Sequence, residues 1–205
     1  KELFPNNKRI STYAKILDIA QKTDQELELL AHNGLSTCYI GMESGSNQVL
    51  RLMKKGHNSK MILQAIPRLK RAGIRTSVYI LLGIGGKKYS TDHAVHTAKV
   101  LNQIHPDIIR FRTLNIMPNS ELEGDFHLGD FRQLTPYAIL QEEYLLLQKL
   151  DGSLTSELYH DHISNYLSVH VTDIGKEKQQ ILAQLDKLLS DPKIKTLKPR
   201  NFQSM

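Results

Sequence analysis

The chain has 205 residues, 40% hydrophobic and 23% charged, enough to bury the core of one large globular domain. A net charge of +6 admits an anionic partner without requiring one, and the single cysteine, Cys38, excludes an internal disulfide and any cysteine-built metal site of the chain's own. No apolar run approaches the ~18 residues of a membrane span and no signal-peptide pattern opens the chain, so the sequence predicts a cytoplasmic protein with no membrane partner.

Lys8 to Ala14 predicts the first strand, behind a Pro5-Asn6-Asn7 turn. A capping box from Thr23 to Glu26 opens a helix with Leu27, Leu29 and Leu30, which stops at Asn33-Gly34. Thr37 to Met42 is a short apolar run of the kind that makes a buried strand. It ends on Glu43-Ser44-Gly45, and the helix that follows carries Val49, Leu50 and Met53 and ends at Gly56.

Lys60 to Ala72 predicts a helix burying Ile62, Leu63, Ile66 and Leu69, terminated by Gly73. Ile74 to Leu82 is a third strand entering the turn Gly83-Ile84-Gly85-Gly86. Ser90 or Thr91 caps a helix to about Ile104, with Ala94, Ala98 and Leu101 inward and His93 and His96 on its surface. Ile108 to Met117 is a fourth strand. Strand and helix alternating at this spacing mean parallel strands with right-handed crossovers. The fold class is therefore α/β, a partial (β/α) TIM-like barrel of about four parallel strands whose two faces are both covered.

Residues 121–134 read as a long polar loop, and Thr135-Pro136 opens a helix to about Leu150. Ser153 to Leu158 gives a short fifth strand, and His160 to Leu167 and Lys176 to Leu189 are helical. Residues 1–120 are thus the partial barrel, 121–192 a loop and helical extension, and 193–205 a polar tail.

Three strand ends carry ligand-type residues. Glu43 sits where a parallel strand delivers its last residue, the end at which such sheets bind ligands. A carboxylate there either accepts hydrogen bonds from a donor such as a ribose diol or caps the next helix. The glycines from Gly83 to Gly86 permit close backbone approach but lack the full dinucleotide spacing. Arg110 and Arg112, two apart, share one strand face with Asn115 nearby; they call for an anion or for solvent at an edge. His162 and Asn165 are candidates for polar substrate contacts, since His160 and His162 lie on different sides of a helix and suit a metal poorly. Lys60, Gln64, Arg68 and Arg71 form one polar helix face, read as solvated rather than as a nucleic-acid footprint; Lys193, Lys195, Lys198 and Arg200 form a second basic cluster.

Tyr39-Ile40-Gly41-Met42-Glu43-Ser44-Gly45-Ser46, the Met53 to Gly56 helix end, Ala72-Gly73-Ile74 and Ile80-Leu81-Leu82-Gly83-Ile84-Gly85-Gly86 together resemble the later part of radical S-adenosylmethionine (SAM) iron–sulfur enzymes. That broad group includes oxygen-independent coproporphyrinogen oxidase and tRNA-modifying enzymes. The resemblance covers about residues 8–120, and His162-Ile163-Ser164-Asn165 is similar to the tail of an Fe–S oxidoreductase branch. It implies a six-stranded partial barrel in which Glu43 and Ser44 contact the SAM ribose and Leu81 and Gly83 pack on adenine. Arg112 to Asn115 would close over the adenine and substrate side, and Ser11 and Tyr13 would approach the methionine group or the substrate. It further implies a [4Fe–4S] cluster, SAM cleavage to a 5′-deoxyadenosyl radical, hydrogen abstraction, and an electron donor such as flavodoxin or ferredoxin.

The departure is the cluster. The family's three clustered cysteines are absent here, and Cys38 precedes a buried strand. The expectation is the C-terminal part of a longer radical SAM oxidoreductase, inactive as it stands and prone to self-association through open sheet edges. The alternative is a cluster-free binding domain for a nucleoside-like ligand or RNA.

Overall fold

The computed structural model describes residues 9–199; the expected Pro5-Asn6-Asn7 turn, Lys8, Arg200 and the end of the tail lie outside them. Two short helices, α1 (Ile16–Gln21) and α2 (Asp24–His32), follow β1 (Ile10–Ala14). The Thr23–Glu26 capping box forms as expected, whereas α2 buries Leu27 alone and leaves Leu29 and Leu30 exposed. Strand β2 (Leu35–Glu43) leads to α3 (Asn47–Leu52) and α4 (Ser59–Arg71), and β3 (Arg75–Leu82) leads to α5 (Gly86–Ile104), which kinks at Tyr89. Strand β4 (Ile108–Thr113) ends four residues before the expected Met117.

After β4 the chain forms α6 (Glu121–Leu128), where the sequence reading expected only a loop. Ser120 accepts a hydrogen bond from the Glu123 amide and two acids occupy the first turn, so local capping suffices to make this short helix. Helix α7 (Pro136–Gln148) has Thr135 as its cap and Pro136 at its first position. Then come β5 (Glu157–Tyr159), β6 (His170–Val171), α8 (Ile174–Ser190) and α9 (Pro192–Thr196). The expected helix over 160–167 does not form. The His160 amide instead donates to the Val169 carbonyl at 2.9 Å, which ties β6 back onto β5 through a turn.

The six strands make one sheet in sequence order, parallel from β1 to β5 with β6 antiparallel at the far edge. This is a partial (β/α) barrel: helices α1, α4, α5, α7 and α8 share a single core with the convex side of the sheet. Cys38, Ile40 and Met42 of β2, Val78, Ile80 and Leu82 of β3, and Ile109 and Phe111 of β4 point into that core. Each fully buried side chain of this size contributes about 1.5–3 kcal/mol.

The alternate residues reach the other face, which is open. The strands therefore do not bury both faces, contrary to the reading of Thr37–Met42 and Ile74–Leu82 as continuous apolar runs. They alternate with period two, apolar toward the helices and polar or aromatic toward the concave side.

Candidate functional site

The concave face is built in register. Tyr13 pairs with Tyr39, Tyr79 with Gly41 and Arg110, Leu81 with Arg112, and Arg110 with Tyr159. In parallel strands such partners share a face, so these side chains form one surface. The rings of Tyr13, Tyr39 and Tyr79 lie with centroids 5.3–6.4 Å apart. The Arg110 guanidinium sits 4.2 Å from the Tyr159 ring centre and 5.5 Å from that of Tyr39, and Arg112 lies 5.3 Å from that of Tyr79. Burial lowers the Arg112 pKa and raises that of the Tyr79 phenol, which also has the Tyr13 hydroxyl beside it.

Glu43 closes β2 at a bulge, with φ of +63°, a left-handed conformation that side chains larger than glycine rarely adopt. Its carboxylate folds back over Gly41: a Cβ built on Gly41 would meet Glu43 Oε1 at 3.0 Å. Lys55 Nζ donates to the same oxygen at 3.3 Å, and Oε2 has no hydrogen-bond partner among the described residues. The bulge thus places a half-buried carboxylate with one free oxygen at the C-terminal end of a parallel strand. Leu81 lies half-exposed on the neighbouring strand. Gly83 follows with φ of +82°, its amide donating to Glu142 Oε1 at 2.6 Å.

Other expected site residues are placed differently. The Ser44 side chain is turned into the core, its Oγ 2.8 Å from His93 Nδ1, so it does not share the open face with Glu43. Asn165 is buried, and its amide donates to the Phe111 and His160 carbonyls at 3.0 and 3.2 Å while its oxygen accepts from Thr113. Those hydrogen bonds join the 160–169 turn to β4. His162 is half-exposed near Arg112, and burial together with that guanidinium lowers its pKa; its Nδ1 contacts Ser164 Oγ at 2.8 Å. Asn115 stands past the end of β4, half-exposed. Ser11 and Tyr13 are exposed on the edge strand β1, with Tyr13 78% exposed. Lys60, Gln64 and Arg71 of α4 are solvated, while Arg68 is engaged with Asp24 at 2.5 Å.

Sequence reasoning missed Tyr39, Tyr79 and Tyr159. For Tyr39 and Tyr79 the signal was present as alternation, 39/41/43 and 77/79/81 against buried even positions. It also misplaced His93, which is fully buried rather than on a helix surface, and passed over Glu142 and Glu143 of α7. These two acids face buried imidazoles, Glu142 Oε1 at 3.8 Å from His93 Nε2 and Glu143 Oε2 at 3.4 Å from His160 Nε2. Burial pushes Glu142 up to about 7 and Glu143 up to about 8, and drives His93 and His160 down to about 4. Both pairs are therefore neutral carboxyl beside neutral imidazole near pH 6, not ion pairs: burial outweighs the Ser90 and Gly83 hydrogen bonds at Glu142, and Glu143 has none among the described residues.

An open half-barrel with ligand-type side chains at the C-terminal strand ends defines a partial (β/α) barrel. Residues 6–98 match the family model of the Radical SAM superfamily, and the fold is a radical SAM fold. The chain is 24% identical over 127 residues to an uncharacterized protein of Methanocaldococcus jannaschii, covering 58% of this chain and 39% of that protein. It is 22% identical over 111 residues to the tRNA uridine(34) acetyltransferase of Methanocaldococcus infernus, covering 54% of this chain and 21% of the enzyme. The chain thus spans well under half the length of these curated relatives. The solved structure of Methanocaldococcus infernus Elp3 with an N-terminal deletion superposes with a TM-score of 0.62 at 16% identity, over 86% of this chain and 42% of that one.

The superfamily implies SAM and a [4Fe–4S] cluster, and the residues present fit only the first. Glu43 offers, at the end of β2, a carboxylate oxygen with no partner among the described residues, suited to a ribose diol. No group of three His, Cys, Asp or Glu among the described residues could hold a metal, and Cys38 is buried toward the helices. Burial pushes its thiol up to about 11, the opposite of what a cluster ligand requires. These residues do not hold a cluster. No helix among the described residues is long and apolar enough to cross a membrane.

Proposed function

We propose that this chain supplies the nucleoside and substrate side of a radical SAM oxidoreductase whose cluster is carried by sequence outside it. The observation that carries this reading is Glu43. A non-glycine residue held at φ +63° with a carboxylate oxygen free on the open face is strain retained at a ligand site. Glu43 Oε2 accepts from the ribose hydroxyls, and Leu81 and Gly83 provide the flat wall for adenine. The parent reaction is hydrogen abstraction from a small-molecule or RNA substrate, with an electron supplied by a flavodoxin or ferredoxin, and the chain by itself is inactive. Free sheet edges at β1 favour association with another copy or with the remainder of the barrel.

Calorimetric titration of the 205-residue chain with SAM and with adenosine tests the reading directly. Binding that falls at least tenfold in Glu43→Gln supports it; equal affinity in the variant sinks it. One observation, the buried Cys38 with no cluster ligands around it, favours a second reading: a cluster-free domain for a nucleoside-like ligand or RNA. The intact mass of the protein from its native host separates the two. A longer product with three clustered cysteines supports the enzyme, and a product of this length with no bound iron supports the binding domain.

A further inference from the structure

Four arginines on or beside the sheet fall into two groups. Arg68 is paired with Asp24 and also donates to the carbonyls of Ile19 and Lys22, and Arg75 is paired with Glu157. Arg110 and Arg112 have no carboxylate within ion-pair distance among the described residues. Among the described residues, Arg110 donates from Nε to Ser77 Oγ at 3.0 Å, and Arg112 donates from a terminal nitrogen to the Phe111 carbonyl at 2.9 Å.

A guanidinium has five N–H donors, so each of these two keeps most of its capacity unspent. Nearby acids do not absorb it. Glu157 is taken by Arg75, Glu43 by Lys55, and Asp161 acts on Arg112 only from beyond contact distance. Two half-buried positive charges about 7 Å apart along one strand thus lie over tyrosine rings, with no carboxylate in contact among the described residues. Stacking fixes each guanidinium plane while leaving its edge N–H groups free, the arrangement that suits bidentate capture of anionic oxygens. Beside them Tyr13 is mostly exposed and lies nearly parallel to Tyr79, at an interplanar angle of 17°, so an unsaturated ring has a platform at hand.

We propose that Arg110 and Arg112 are the anion-holding floor of a substrate site on the concave face, which takes a small molecule carrying a carboxylate or phosphate on a flat unsaturated ring. The inference rests on the reading of this face as the ligand side of the barrel, and not on Glu43 or on SAM. His162, at the Arg112 end, is the neutral polar group at its rim. The carboxylate and phosphate forms share the same recognition chemistry, and the probes below tell them apart.

The test is calorimetric titration of the full chain with 2-naphthoate and with uridine 5′-monophosphate, each against its neutral counterpart, 2-naphthamide and uridine. At least one anion is expected to bind tenfold or more tightly than its neutral partner, and the tighter of the two identifies carboxylate or phosphate. Arg110→Gln and Arg112→Gln should each weaken that anion at least tenfold while the neutral probes are unchanged, and Arg112→Lys should recover part of the loss. Anion and neutral probe binding alike, no binding of either anion, or full affinity in a natively folded Arg112→Gln overturns the proposal. A short oligouridylate binding tenfold more tightly than the monophosphate also overturns it, since the face would then read a nucleic-acid chain. If a glutamine variant fails to fold by circular dichroism, the charged-against-neutral comparison on the unaltered chain decides alone. Failure to bind SAM with the anion still bound sinks the proposed function only, and the reverse result sinks only the arginine site.

Discussion

His93 Nδ1 lies 2.8 Å from Ser44 Oγ, and both residues are completely buried between the end of β2 and α5. The Ser46 amide donates to the same Oγ at 3.0 Å, and the other imidazole nitrogen, Nε2, faces Glu142 at 3.8 Å. Ser44→Ala leaves a buried imidazole nitrogen and a buried amide without their partner, at a cost of about 1–3 kcal/mol. The expected result is a lower thermal midpoint with adenosine affinity unchanged within about twofold. A tenfold loss of affinity in a stable variant would return Ser44 to the binding face.

The buried acid–imidazole pairs make stability depend on pH. Glu142 and Glu143 have folded pKa values raised from 4.5 to about 7 and about 8, so their contribution is complete below pH 4.5 and lost as pH rises through 7 and 8. His93 and His160 are lowered from 6.5 to about 4, so theirs is complete above pH 6.5 and lost as pH falls through 4. The opposing slopes cancel roughly between pH 4.5 and 6.5, and stability then declines toward pH 8. Urea denaturation at pH 5.5 and 8.5 should show the decline, and Glu143→Gln, which cannot ionise, should reduce it. A midpoint that rises from pH 6.5 to 8.5 would mean the carboxyls are charged in the folded state.

Glu43 carries a conformational cost of roughly 1 kcal/mol or more for its left-handed backbone. Its ion pair with Lys55 is partly exposed and worth less than that. Glu43→Gly should therefore raise the melting temperature by a few degrees while lowering affinity for adenosine or SAM at least tenfold. A variant that is both less stable and equally able to bind would show that Glu43 serves only the fold.

Cys38 should be inert. Its thiol is 3% exposed and its pKa is pushed up to about 11, so almost no thiolate exists at pH 8. A colorimetric disulfide reagent should react with one thiol per chain in denaturant and with almost none in native buffer. Rapid native reaction would mean that β2 opens easily.

Much of the fold was legible because it is local. Apolar runs at strand spacing, the Thr23–Glu26 box and the Thr135-Pro136 cap each act within a few residues, and each forms as expected. Helix α6 and the turn that replaces a helix at 160–167 were not legible from periodicity. The first depends on a cap in a polar segment, and the second on hydrogen bonds to β4 and β6 from far along the chain.

For the site, the sequence by itself determined the chemistry at hand: a carboxylate at a strand end, two arginines sharing a strand face, and a single cysteine unable to build a cluster. Tertiary structure decided what that chemistry meets. The parallel register set Tyr79 beside Arg110 and Leu81 beside Arg112, and the bulge after Gly41 turned Glu43 onto the open face while Ser44 went into the core. Register and packing are pairings between segments 30 to 50 residues apart, fixed by burying one face of every strand at once, and no stretch of sequence contains that constraint by itself.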